Sequence, residues 1–182
     1  MLLVAGCGRG GKRFPYGEGY VFVDQSGRRV RLDTFRGKVV VITYFYTHCP
    51  DACPLTMANL KRLYARLPDS VAGRVVFVAV SIDPERDRPE VLREYAGIYH
   101  INFPNWFFLT GKPEEVKRFI REVGVIAVKG KITVTPRGDT TYFLTHTDYV
   151  HVVSPDGRIV YRGDGERLNV KEAYERILGS LP

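Results

Sequence analysis

The sequence predicts a single α/β domain built on parallel strands, and three observations carry that prediction. Two apolar runs, Val39-Val40-Val41-Ile42-Thr43-Tyr44-Phe45-Tyr46 and Val75-Val76-Phe77-Val78-Ala79-Val80-Ser81-Ile82, are rich in β-branched and aromatic residues and read as buried strands. Between them Met57, Leu60, Leu63, Tyr64 and Leu67 recur at helical steps of three and four. A helix joining two strands makes them parallel, with a right-handed crossover as the default. The third observation is His48-Cys49-Pro50-Asp51-Ala52-Cys53-Pro54. It puts two thiols where the first strand turns into the helix, the end at which open α/β sheets carry their ligand chemistry.

The remaining elements follow in order. Gly8-Arg9-Gly10-Gly11-Lys12-Arg13 is basic and glycine-rich, so residues 1–18 read as a tether and residues 19–182 as the folded domain. Residues 19–23 and 28–32 flank Asp24-Gln25-Ser26-Gly27, a hairpin with glycine where a left-handed residue is often needed. Pro54 suits the first turn of the first helix, which should end near Leu67-Pro68. After the second strand, Asp87 and Glu90 have capping-box spacing for a helix whose inner face is Val91, Leu92, Tyr95, Ala96 and Tyr99. Trp106-Phe107-Phe108-Leu109 is a third strand, and Pro113 opens a helix carrying Val116, Phe119, Ile120 and Val123. Residues 125–144 alternate as an inserted hairpin around Pro136-Arg137-Gly138-Asp139. Residues 149–153 and 158–161 are strands joined by the turn Ser154-Pro155-Asp156-Gly157. A final helix is capped by Asn169 with Glu172 three residues on, and turns Val170, Ala173, Tyr174, Ile177 and Leu178 inward. This order gives a thioredoxin-like α/β fold with an N-terminal β hairpin and a second β hairpin inserted before the last strands.

At 182 residues and 45% hydrophobic content the chain suits one domain with a real core. No run approaches the ~18 apolar residues of a membrane helix. The net charge of +7 is scattered, and no helix-turn-helix, zinc-finger or RNA-binding signature accompanies it, which argues against a nucleic-acid partner. A basic face against an acidic protein partner stays open. Of the three cysteines, Cys7 is unpaired and closes Leu3-Val4-Ala5-Gly6-Cys7, which resembles a bacterial lipobox whose cysteine receives lipid. Only six residues precede it, fewer than the ~7–15 apolar residues of a signal-peptide core, so either the gene product starts upstream or the match is accidental. An exported setting also suits a dithiol that cycles between oxidation states.

Cys49 and Cys53, four apart beside prolines and Asp51, mark an exposed turn rather than a packed face. A helix start favours thiolates, which serve a redox pair and a soft metal site equally. A metal needs a third ligand, and there are four histidines. His48 adjoins Cys49, but neighbours there tend to point apart. His100 ends a helix, where a cation is favoured. His151 lies within a strand as a half-buried core residue. His146 lies between the inserted hairpin and a sheet strand, within reach of the cysteine turn, and position alone barely separates it from the others. Two thiolates and an imidazole would suit copper, with zinc the main competitor.

The segment Thr47-His48-Cys49-Pro50-Asp51-Ala52-Cys53-Pro54 resembles the signature of the Sco/SenC family of copper-binding assembly proteins. Gly37-Lys38-Val39, Ser81-Ile82-Asp83-Pro84-Glu85-Arg86-Asp87 and Leu109-Thr110-Gly111 agree with it, as does Tyr142-Phe143-Leu144-Thr145-His146-Thr147 before Pro155-Asp156-Gly157. Thr145 departs from the family, which commonly has an acidic residue just before its histidine. The resemblance implies a thioredoxin-like fold and one copper ion per chain held by Cys49, Cys53 and His146. It further implies a metallochaperone for the CuA centre of cytochrome c oxidase, at the outer face of the cytoplasmic membrane and held there by a lipid or an N-terminal anchor. The partners it implies are the copper-bearing oxidase subunit and a further copper chaperone or thiol reductase. The rival function is a thiol–disulfide oxidoreductase with Cys49 attacking and Cys53 resolving; exchange chemistry would need no distant imidazole. Peroxide reduction fits the same fold, but no motif supports it.

Overall fold

The two apolar runs become the centre of a seven-stranded sheet. The computed structural model describes residues 12–17, 19–134 and 140–182. The chain runs β1 (Val21–Asp24), β2 (Arg29–Arg31), a 3-10 turn (Leu32–Phe35), β3 (Val39–Phe45), α1 (Ala52–Tyr64), α2 (Asp69–Ala72) and β4 (Val75–Ser81). It continues through α3 (Pro89–Ile98), β5 (Trp106–Gly111), α4 (Pro113–Glu122), β6 (Ala127–Lys129), β7 (Thr133–Val134), β8 (Thr140–Thr141), β9 (Leu144–His146), β10 (Tyr149–Val153), β11 (Ile159–Asp164) and α5 (Val170–Leu178). The sheet order is β11-β10-β3-β4-β5-β1-β2, with β3, β4 and β5 parallel and the outer strands antiparallel. Strands β3 and β4 are buried along their whole length, as parallel strands covered on both faces must be.

Alternation along β3 sends neighbouring rings to opposite faces. Phe45 meets Tyr95 of α3 and Phe108 of β5, while α1 lays Tyr64 on Phe77 and Trp106. Tyr44 turns the other way, to Phe119 of α4. The β1–β2 hairpin forms as expected, with Gly27 at φ +80 in its turn, and Asn169 caps α5 by accepting from the Glu172 N–H.

Two expectations need correction. Residues 12–17 belong to the fold: Phe14 and Tyr16 are 5% and 2% exposed, Phe14 packs edge-on to Phe119, and the Lys12 carbonyl accepts from the Ile159 N–H at 2.9 Å. Two large apolar rings two positions apart give such a stretch something to bury, which a tether lacks. Asp87 does not cap α3; Arg88 occupies the cap, Pro89 is the first helical residue, and the Asp87 side chain turns into the interior. The inserted hairpin forms in two ladders, β6 with β9 at its base and β7 with β8 towards its tip, and among the described residues neither is hydrogen-bonded into the main sheet. The expected turn at residues 136–139 and Cys7 lie outside the described residues.

His151 sits inside β10, 1% exposed, with Nδ1 3.1 Å from the Tyr44 hydroxyl. Burial, with Arg162 and Lys12 nearby, pushes its pKa down to about 4. A histidine protonated more readily unfolded than folded makes stability rise with pH between the two pKa values. Its contribution, up to about 3 kcal/mol, should be complete above pH ~6.5 and lost as pH falls towards 4. Urea denaturation of the protein and of His151→Gln across that window checks this, and parallel pH curves would refute it.

Candidate metal centre

Helix α1 begins at Ala52, one residue before Cys53. The turn from β3 into it is closed by the Cys49 N–H donating to the Tyr46 carbonyl at 3.2 Å. Cys53 is 1% exposed and Cys49 half-buried, and both are free thiols. The unpaired N–H groups of a helix start stabilise negative charge, and here the backbone N–H groups of Asp51 and Cys53 point at the Cys49 sulfur. The largest influence, however, is the Cys53 thiol, whose hydrogen bond to Cys49 pulls the Cys49 pKa down to about 3. The same bond, with burial, pushes Cys53 strongly upward. The pair is therefore one thiolate and one thiol that shares its proton with it.

His146 ends β9, and its Nε2 lies 3.8 Å from the Cys53 sulfur. Its Nδ1 lies 3.1 Å from the Thr147 carbonyl, which can only accept, so Nδ1 carries a proton and Nε2 faces the cysteine pair. Burial works against protonation of His146, yet hydrogen bonds with Cys49 and the Thr147 carbonyl outweigh it and raise its pKa. One donor atom each from Cys49, Cys53 and His146 lies within 4.8 Å of the others. Two sulfurs and an imidazole nitrogen make a soft set with few ligands, which fits copper in particular and leaves zinc as a competitor.

The other three histidines stay away. His48 is exposed with Nδ1 against the Thr47 hydroxyl at 3.0 Å, His100 is exposed just past α3 at φ +50, and His151 is buried on Tyr44. Around the ligand set lie residues that the sequence did not single out. Tyr46 is 2% exposed; its hydroxyl accepts from the Leu144 N–H at 3.2 Å and bonds Cys49, and its ring packs edge-on to His146. Asp148, two residues after His146, accepts from the Thr56 hydroxyl at 2.7 Å and the Glu166 N–H at 2.9 Å. Burial raises the Asp148 pKa against the lowering effect of Thr56. Thr145, where an acid was expected, is exposed, so the carboxylate beside this histidine follows it instead of preceding it. The only signal for Asp148 was its spacing from His146.

The chain resembles known proteins over nearly its whole length. Residues 9–181 match the SCO1/SenC family. The SCO1 protein homolog of Bacillus subtilis is 27% identical over 164 residues, 88% of this chain and 81% of that one. The structure of Bradyrhizobium japonicum ScoI with copper bound superposes with a TM-score of 0.74 at 29% identity, over 94% of this chain and 99% of that one. BsSco, described with a disulfide switch and as a member of the Sco family of cytochrome c oxidase assembly proteins, superposes with a TM-score of 0.72 at 25% identity, over 93% and 94% of the two chains. The architecture is accordingly thioredoxin-like, and with a family match running from residue 9 to residue 181 the chain belongs to the SCO1/SenC family.

Proposed function

We propose that this protein is a copper metallochaperone for cytochrome c oxidase assembly, carrying one ion per chain on Cys49, Cys53 and His146 and passing it to the CuA centre. The observation that supports it is the convergence of those three donors within 4.8 Å, from segments 93 residues apart, in a family whose solved members include copper-bound ones. Copper here is cargo. The half-buried Cys49 and partly exposed His146 are the ligands an acceptor can reach, while Cys53 stays 1% exposed. Transfer then proceeds by exchange of one ligand at a time, starting from the accessible side. Reduced protein should bind one copper ion. Cys49→Ser or Cys53→Ser should abolish tight binding and Cys7→Ser should leave it intact, as measured by competition with a chelator. Equal losses from Cys7→Ser and Cys49→Ser would sink the assignment. Binding should also weaken as pH falls, because protons compete for the thiolates and the imidazole.

One observation favours a second reading. A half-buried free cysteine four residues before a fully buried one is the arrangement of an attacking and a resolving thiol. Cys49 would attack an acceptor disulfide to give a mixed disulfide, and Cys53 would resolve it. The acceptor leaves with two thiols and this chain with a Cys49–Cys53 disulfide. For either task the expected setting is the outer face of the membrane. No helix among the described residues is long and apolar enough to cross it, so attachment would fall to a lipid on Cys7 or a segment upstream. Metabolic labelling of the full gene product with a fatty acid, with and without Cys7→Ser, tests the lipid.

A further inference from the structure

The histidine and the cysteines reach one another from separate sheets. Among the described residues β9 pairs only with β6, and that ribbon has no backbone hydrogen bonds to the main sheet, whose β3 delivers the cysteine turn. Residues 147–148 join His146 to β10, next to β3; the rest of the ribbon is held to the sheet by side chains, and many of those lead to one loop, residues 81–87 between β4 and α3. At one end of it Asp87 is fully buried. It accepts from the Ser81 hydroxyl at 2.6 Å, the Thr47 N–H at 3.1 Å and the Thr47 hydroxyl at 2.5 Å. Thr47 is two residues before Cys49. At the other end Asp83, 4% exposed, accepts from the Tyr142 hydroxyl at 2.7 Å and from Arg86 Nε. Arg86 also donates from Nη1 to the Tyr142 carbonyl at 3.0 Å, and its guanidinium lies 3.6 Å from the centre of the Tyr142 ring. Lys129 of β6 lies over the same ring at 3.8 Å and pairs with Glu85 of the loop at 3.0 Å. Tyr142 is four residues before His146.

Buried carboxylates are costly unless each oxygen is satisfied. Asp87 spends its acceptors on neutral donors of the cysteine turn and its own loop, not on a cation, which makes sense for a group that fixes geometry. Arg86 uses its forked donors on a carboxylate and a carbonyl at once, an arrangement lysine cannot reproduce. We infer that the 81–87 loop is a positioning clamp, in which Asp87 sets the cysteine turn and Asp83, Arg86 and Tyr142 set the ribbon that carries His146. The inference rests on the ligand assignment above. Partners of this kind typically affect metal affinity 10–100-fold.

The two arms predict different phenotypes, which a role in stability alone does not. In the metal-free protein, Arg86→Ala or the gentler Tyr142→Phe should speed amide hydrogen exchange in residues 127–129 and 144–146 by about tenfold or more, with β3 and β4 unchanged. The rate of Cys49 alkylation should also stay unchanged. Asp87→Asn should do the reverse, altering Cys49 alkylation and leaving ribbon exchange alone. Copper affinity, by chelator competition, should fall about tenfold or more in each variant. Arg86→Ala should add no further loss in a His146→Ala background, because it acts through that ligand, and Arg86→Lys should recover only part of the affinity. Unchanged ribbon exchange in Arg86→Ala and Tyr142→Phe would overturn the clamp, as would a loss from Arg86→Ala of the same size with and without His146. If His146→Ala itself leaves copper affinity intact, the ligand assignment falls. Ribbon exchange then decides the clamp alone, faster rates supporting it and unchanged rates overturning it.

Discussion

His146→Ala should lower copper affinity by at least about a hundredfold, because partners outside the ligand shell alone reach that range and this change removes a ligand. The variant leaves both thiols at the start of α1, where the Cys53 thiol and the Asp51 and Cys53 N–H groups still hold the Cys49 thiolate. Its ability to exchange disulfides should therefore change little. The split separates the two functions: a copper carrier loses oxidase assembly with this substitution, whereas a disulfide reductase keeps it. His100→Ala is the matched control, an exposed histidine just past α3. The measurement is oxidase assembly in copper-limited cells beside copper affinity and dithiol turnover of the purified variants. Full rescue of assembly by His146→Ala would overturn the metallochaperone proposal and leave the reductase.

What the sequence made legible was local. β3 and β4 announce themselves because a strand covered on both faces is apolar throughout, and the Ser154–Gly157 and Asp24–Gly27 turns because their residue types are dictated by backbone geometry. The two cysteines were visible for the same reason, through prolines and a helix start next to them. His146 needed the family resemblance, since the contact between β9 and the cysteine turn spans 93 residues and leaves no periodic trace. Asp87 shows why local rules mislead here. Its spacing to Glu90 fits a capping box, yet Ser81 and Thr47, 6 and 40 residues away, claim its oxygens and Pro89 starts the helix without it. Tyr46 entered only as the end of an apolar run and Tyr142 only as the start of a resembling segment; what distinguishes them is where their hydroxyls point, which only the tertiary fold determines.

Cys49 should titrate far below an ordinary thiol, and Cys53 should be the reason. In the reduced, metal-free protein the alkylation rate of Cys49 should stay nearly flat from pH 8 to about 4 and fall only on approach to its pKa of about 3. The thiolate carries the reaction, so a rate that follows thiolate fraction reads the pKa directly. Cys53, buried and donating its proton to Cys49, should remain unmodified over that range. Cys53→Ala removes the strongest of the interactions holding Cys49 down but keeps the backbone N–H groups and His146. Its alkylation profile should therefore move up by at least about two pH units and stop short of the free-cysteine value near 8.5. His146→Ala, which removes a smaller contribution, should move it less. A profile in native protein that bends near pH 8.5, or one that Cys53→Ala leaves in place, would refute a thiolate shared within the pair. The same shift would raise the proton competition that an incoming copper ion meets at Cys49, so the residual copper uptake of Cys53→Ala should become steeply pH-dependent above pH 5, where Cys49 of the native protein is already ionised.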